Sequence, residues 1–176
     1  KTHSDGFEQG LGQINSAFSM NQLFQIFPLD EAEAAKIAAA PDQPHQHDFE
    51  ELIIGIEGQL EHFIDFKTTA IEAPFASFVT KGKTHRGVPG VKDDRCKMWG
   101  LRFKSEFIPE TTFQLYSYYH DHANIAMQPG ACFDRLVTLC EMMDGEMRQT
   151  APDLAVVRHL LSAMFTMIES ERRKND

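Results

Sequence analysis

The segment His45-Gln-His47-Asp-Phe-Glu-Glu51-Leu-Ile-Ile-Gly-Ile-Glu-Gly58 carries more structural information than any other part of the chain. Its second half is apolar and β-branched and ends at a glycine, which predicts a strand. Side chains two positions apart in a strand project from one face, so His45, His47 and Glu51 are expected to share a side. Two imidazoles and a carboxylate on one face form a ligand set suited to Fe(II), Mn(II), Ni(II) or Zn(II).

A further histidine follows the turn-like segment Lys81-Gly82-Lys83-Thr84. Gly82 can adopt backbone conformations that are closed to other residues, so the chain can turn sharply there and direct His85 inward. The sequence therefore predicts a candidate metal-binding or ligand-binding set made of His45, His47, Glu51 and His85.

These residues resemble the two sequence motifs of the cupin superfamily. The first motif, H-x-H-x3-E-x6-G, is matched in full, although Ala39 stands where a glycine usually opens it. The second motif, G-x5-P-x-G-x2-H, is matched by Gly82 and His85, whereas Pro74 and Thr80 replace its usual Gly and Pro. The resemblance implies that all four usual ligand positions survive, with altered turn residues around them.

A narrower resemblance covers the run from Pro44 to Phe66, which is similar to the N-terminal domain of AraC-type transcription regulators. Those domains often read P-H-x-H-D-F-x-E-L, as residues 44–52 do here. The resemblance implies an effector-binding barrel, two helices that form a homodimer interface, and a linker into a pair of helix-turn-helix motifs. Glu169–Asp176 stands where that linker would begin, so the DNA-binding module would lie outside this chain.

The composition agrees with a domain that does not bind DNA by itself. The chain of 176 residues has a formal net charge of −9, and its basic cluster Arg172-Arg173-Lys174 lies beside acidic residues. Proteins that grip DNA present clustered Lys and Arg to the phosphates. No apolar run approaches the roughly 20 residues needed to span a bilayer. Three cysteines without CxxC spacing, Cys96, Cys132 and Cys140, predict reduced, buried thiols and a cytoplasmic protein.

The pattern along the chain predicts a mainly β protein with C-terminal helices, that is, a cupin (jelly-roll) β-barrel followed by two α-helices. The expected parts are an N-terminal arm with the first strand (1–28), the barrel (29–128), and a helical dimerisation region with the start of a linker (129–176). The segments with a strand-like pattern are Glu51–Glu57, Leu60–Phe66, Phe75–Thr80 and Lys97–Lys104. Helices are expected after the N-cap residues Asp30 and Asp153, and from about Cys132 to Gln149.

The last helix allows two interpretations. Its apolar positions recur at a helical spacing, which suits packing on the barrel. Leu160, Met164 and Met167 widen this apolar stripe beyond one face, which suits a dimer interface instead.

Arg102 lies on the opposite face of its strand from Trp99, Leu101 and Phe103, which are expected in the core. Exposure to solvent is the commoner fate for such an arginine. If its face turns into the barrel, Arg102 could instead hold a ligand carboxylate. Three other histidines, His62, His120 and His122, are expected at the surface.

The resulting functional hypothesis is an effector-sensing and dimerisation domain, not an enzyme, in which residues 1–28 cover a small molecule in the barrel. The four-residue set would hold a divalent transition metal (Zn, Ni, Mn or Fe), contact the effector, or only form hydrogen bonds at the barrel mouth. A small metal-dependent cupin enzyme of the dioxygenase or isomerase type is the alternative. A storage or scaffold domain is the third reading.

Overall fold

The computed structural model describes residues 22–108 and 116–175, so most of the expected N-terminal arm lies outside the described residues. In chain order the elements are β1 (Phe24–Asp30), α1 (Glu31–Ala39), β2 (Glu50–Glu57), β3 (Gln59–Ile64), β4 (Lys67–Glu72), β5 (Phe75–Val79), β6 (His85–Gly90), β7 (Lys97–Phe103), α2 (Tyr116–Asp121), β8 (Asn124–Ala126), α3 (Ala131–Met147) and α4 (Leu154–Lys174).

The predicted helix starts are confirmed by their caps. The Asp30 side chain accepts a hydrogen bond from the Glu33 amide at 3.0 Å, and Asp153 does the same for the Ala155 amide at 3.0 Å. Each cap satisfies an amide that has no partner within its own helix.

The strands form two antiparallel sheets. The larger sheet has the order β1-β7-β2-β5-β8 and the smaller one the order β4-β3-β6. The chain passes from one sheet to the other at Gly58, between β2 and β3. Gly58 has a φ of +102°, and a Cβ there would lie 2.6 Å from the carbonyl oxygen of Gly90, so only glycine fits this turn.

The two sheets face one another across an apolar interior. Ile53 of β2, Leu60 of β3 and Met98 of β7 belong to one buried cluster, which Ile37 of α1 joins from one end. The sheets therefore enclose the core as in a barrel, although within the described residues the hydrogen-bonded ladders remain two separate sheets.

The outer face of the larger sheet is covered by the C-terminal helices. Phe78 and Phe103 meet Phe165 of α4 with ring centroids 4.9 and 5.8 Å apart, and Leu136 of α3 joins the same buried cluster. Met164, assigned above to the widened stripe, is fully buried in this cluster. The predicted fold class, mainly β with C-terminal helices, is confirmed.

All three cysteines carry free thiols, two of them buried. Within the described ranges, no helix combines the length and the apolar character needed to cross a lipid bilayer.

Candidate functional site

The alternation of β2 and β7 determines which side chains reach the barrel interior. Glu51 and Arg102 are direct partners across the β2–β7 ladder, as are their neighbours Leu52 and Leu101. Leu52 and Leu101 pack toward the helices together with Trp99, so the neighbouring Glu51 and Arg102 point the other way, into the interior.

Arg102 is fully buried, which corrects the expectation that it meets solvent. Its Nε donates a hydrogen bond of 2.6 Å to Oε2 of Glu51. The guanidinium also lies 4.8 Å from the ring centroid of Phe27 and 5.6 Å from that of Phe49. Arg102 does hold a carboxylate in the barrel, but that carboxylate is the chain's own, because the cross-strand register places Glu51 opposite it.

His45 and His47 reach the site by a route that strand periodicity did not predict. Strand β2 begins only at Glu50, after a bend at residues 48 and 49. His45 instead forms an isolated bridge with His85, with two backbone hydrogen bonds of 2.9 Å. The His47 ring stacks on Phe49 at a centroid distance of 4.0 Å. The predicted convergence is found, but a bend and a bridge produce it rather than one continuous strand.

Gly82 supports the inward direction of His85, as predicted. It has a φ of +87°, which side-chain-bearing residues rarely adopt, and its amide donates to the His47 carbonyl at 3.1 Å. The turn before β6 is thereby fixed against the segment that carries His47.

The four predicted site residues converge at one end of the barrel. Nε2 of His47 and Nε2 of His85 are 2.9 Å apart, and Oε1 of Glu51 lies 3.7 and 3.5 Å from them. One ring nitrogen from each of His45, His47 and His85 falls within a group whose members are at most 4.8 Å apart. Two nitrogens that each lie about 2.1 Å from one ion at a right angle are ~3 Å apart, which is close to the spacing found here.

His62 lies directly behind His85, so its prediction as a surface residue is wrong: the side chain is fully buried. Its Nε2 is 3.1 Å from Nδ1 of His85. Its other nitrogen faces Asn124 Oδ1 at 3.0 Å, and Ser77 donates to the same oxygen at 2.7 Å. The alternation of β3 could have revealed this position, because His62 shares a face with the apolar Leu60 and Ile64. His120 and His122 are exposed, as predicted, and His120 lies in α2.

Hydrogen bonds fix where the ring protons of the site histidines lie. Nδ1 of His45 and Nδ1 of His47 each face a backbone carbonyl oxygen at 3.0 Å, so both nitrogens must donate. In the neutral rings, each Nε2 then presents a lone pair. Nε2 of His45 is buried without a hydrogen-bond partner, and so is Oε1 of Glu51.

His85 completes the same pattern. Asn124 Oδ1 can only accept, so His62 donates from Nδ1 and accepts at Nε2, and His85 must donate from its own Nδ1. Nε2 of His85 therefore also carries a lone pair, directed at that of His47. Such a cluster of acceptors favours a shared cation, which is the physical reason that a divalent metal ion fits these residues.

Burial and charge shape the protonation of the site. Burial lowers the pKa of His85 to about 3, and it also lowers the pKa of His62, so both rings stay neutral near pH 7. Burial alone would raise the pKa of Glu51, but the charge of the Arg102 guanidinium brings it well below its usual range. The site therefore combines the neutral imidazole of His85 with the ionised carboxylate of Glu51.

A separate cleft of about 410 Å³ lies outside the barrel, where α3 begins. Its lining is mostly apolar and includes Ile56, Pro74, Phe133 and Val137. None of the predicted site residues reaches this cleft.

Comparison with known proteins gives the fold a context. No family model matches the sequence, and no curated protein matches it. An apo ToxT variant from Vibrio cholerae aligns over 85% of this chain and 57% of its own, with a TM-score of 0.51 and 11% identity. The AraC-like transcriptional activator CuxR aligns over 82% and 49%, with a TM-score of 0.43 and 13% identity. An RmlC-like cupin from Shewanella frigidimarina aligns over 49% and 70%, with a TM-score of 0.35 and 12% identity.

This chain thus spans little more than half the length of the ToxT structure, and at such low identity the likeness concerns the fold alone. Together with the two antiparallel sheets, it shows that this chain shares with the ToxT structure a mainly β fold that ends in C-terminal helices.

Proposed function

We propose that this chain is the effector-sensing and dimerisation domain of a cytoplasmic AraC-type transcription regulator. The observation that carries the proposal is the single hydrophobic cluster joining the larger sheet to α3 and α4. Its sheet has a polar, ligand-competent site on the inner face and a helix pair on the outer face. A change in the site can therefore act on the helices through one shared layer of strands.

Exposed apolar residues on the helix pair support a homodimer interface. Met142 on α3 and Val156 on α4 are 50% and 41% exposed, and they are two of the four large hydrophobic residues with marked exposure in the described part of the chain. Exposed apolar side chains of this size can contribute to a contact with another protein.

The site itself is proposed to hold a divalent transition metal through His45, His47 and His85, with Glu51 as a fourth donor. When bound, such an ion would supply a Lewis-acidic position for an oxygen or nitrogen atom of a ligand. The chain's own residues orient the donors: the two backbone carbonyls fix His45 and His47, and Arg102 holds Glu51.

The same donor set supports a second candidate, a small metal-dependent cupin enzyme. An enzyme and a sensor would share the metal site, so metal content alone does not separate them. They differ in what must be attached to the domain and in whether a bound small molecule is converted.

The deciding experiment uses the whole reading frame from which this domain comes. We expect it to continue past Asp176 into a basic helical module, and the full-length protein to bind DNA from its own upstream region in a mobility-shift assay. A panel of small molecules would then be tested for thermal stabilisation of the domain and for a change in DNA affinity. A reading frame that stops at Asp176, or turnover of a bound compound, would contradict the regulator and favour the enzyme.

A further inference from the structure

We infer that His62, held by Asn124 and Ser77, is a positioning residue that fixes His85 with its proton on Nδ1 and its Nε2 lone pair directed into the site. The inference extends the proposed metal or ligand site. Only the expected effect of His62 on metal affinity rests on that proposal. The tautomer itself is a property of the protein without any ligand.

The hydrogen bonds that run from Asn124 and Ser77 through His62 to His85 form a relay. The first step concerns the side-chain oxygen of Asn124, at the far end of this relay. Asn124 Oδ1 accepts from Ser77 Oγ at 2.7 Å and faces Nδ1 of His62 at 3.0 Å. The amide nitrogen of Asn124 points away from the histidine and donates to Thr69 Oγ1 at 3.4 Å. Because a carbonyl oxygen accepts and never donates, the proton of His62 must be on Nδ1.

The second step transfers this constraint to the site. A neutral His62 with its proton on Nδ1 has one remaining acceptor, Nε2, which lies 3.1 Å from Nδ1 of His85. Both rings are fully buried, and a buried ring of this kind is favoured in its neutral form. His85 must therefore place its own proton on Nδ1, opposite the site.

The third step is the cost of losing the relay. Without an acceptor behind Nδ1, His85 can carry its proton on Nε2 and donate to His47 Nε2, which lies 2.9 Å away. That tautomer closes the position that a metal ion or an electrophilic ligand atom would take. Loss of an outer partner that orients a histidine ligand typically weakens metal binding by about 10-fold to 100-fold.

Four elements supply the relay: His62 on β3, Ser77 on β5, His85 on β6 and Asn124 on β8. The relay therefore spans both sheets. Through it, β3, β5 and β8 help to direct Nε2 of His85, which β6 carries.

Two substitutions of His62 separate positioning from packing. His62→Gln retains an acceptor oxygen for His85 and an NH2 donor for Asn124, whereas His62→Leu removes both. His159→Leu on the exposed side of α4 is the matched control. The tautomer of His85 would be assigned from its imidazole nitrogen shifts in histidine-labelled, metal-free protein at neutral pH. The affinity for Ni(II) and Zn(II) would be measured by calorimetry on the same samples.

We expect the Nδ1-protonated tautomer of His85 in the wild-type protein, in His62→Gln and in His159→Leu, and its loss in His62→Leu. Metal affinity should fall about 10-fold to 100-fold in His62→Leu and recover at least in part in His62→Gln. An Nε2 proton on His85 in the wild type, or equal affinity in His62→Leu and the control, would overturn the inference. If the wild-type protein binds neither metal, the metal proposal fails, and the nitrogen shifts alone decide the positioning role.

Discussion

Glu51 is shared between an arginine and the histidines. Its Oε2 accepts the hydrogen bond from Arg102, while Oε1 faces His47 and His85. Both Glu51 and Arg102 are at most 1% exposed. Loss of either side chain would leave the other as an unpaired buried charge and would destabilise the fold. Arg102 thus keeps Glu51 ionised and oriented while leaving one oxygen for the site.

We predict that Arg102→Met lowers the free energy of unfolding by about 3–5 kcal/mol, because it leaves a buried carboxylate without its compensating charge. The double variant with Glu51→Gln should recover part of that loss. Urea denaturation measures both, and Arg135→Met on the exposed surface of α3 is the control, with a change below about 0.5 kcal/mol. Equal stability of Arg102→Met and the control would show that the buried pair is not stabilising.

Helix α4 carries two different apolar surfaces. Val157, Leu161 and Phe165 are buried against the sheet and α3. Val156 and Leu160 lie along one side of that buried stripe and keep part of their surface exposed. An apolar stripe wider than the contact with the barrel leaves surface for a second partner.

The far end of α4 is tied to α2. Tyr119 donates a hydrogen bond of 3.3 Å to Glu169, and the Arg172 guanidinium lies 3.9 Å from the ring centroid of Tyr118. Because α2 leads directly into β8, which carries Asn124, the end of α4 is connected to the element that anchors the histidine relay.

We predict that Val156→Glu combined with Leu160→Glu converts a homodimer into a monomer, because two carboxylates would be buried at the interface without partners. Sedimentation velocity measures the oligomeric state, and circular dichroism checks that the fold is retained. His159→Glu, at an exposed position of the same helix, should remain dimeric. A wild-type protein that is monomeric at all accessible concentrations would contradict a dimer interface on α4.

At the scale of the whole molecule, the neutral buried histidines make stability depend on pH. The pKa of His85 is about 3 in the folded protein, against an ordinary value of 6.5, and that of His62 is lowered as well. Below about pH 6.5 the unfolded chain therefore binds protons that the folded protein does not. The free energy of unfolding must fall as the pH is lowered through this range, and it recovers above it.

We predict that His85 alone lowers the free energy of unfolding by about 1.4 kcal/mol between roughly pH 7.5 and 5.5, and that His62 adds a further loss in the same direction. Urea denaturation in the presence of a chelator at the two pH values measures it. His62→Gln removes one buried titrating group and should reduce the pH dependence. An identical pH dependence in His62→Gln and the wild type would contradict the assignment of His62 as a neutral buried ring.

Local patterns in the sequence determined the fold class, the helix caps, the glycine turns at Gly58 and Gly82, and the identity of the four converging site residues. Each follows from a short-range rule, such as side-chain alternation, capping chemistry or a backbone conformation that only glycine tolerates. The cupin resemblance added the pairing of the two separated segments, because spacing alone does not show which strands meet.

Only the tertiary structure decided the position of Arg102, the burial of His62 and the route by which His45 and His47 reach the site. The partners involved are distant in the chain: Arg102 is set opposite Glu51 by the β2–β7 register, and Asn124 is placed by β8. Whether a polar side chain meets solvent, a counter-charge or another ring depends on which face of its strand turns inward. That choice belongs to the packing of the two sheets and the helices rather than to any local segment.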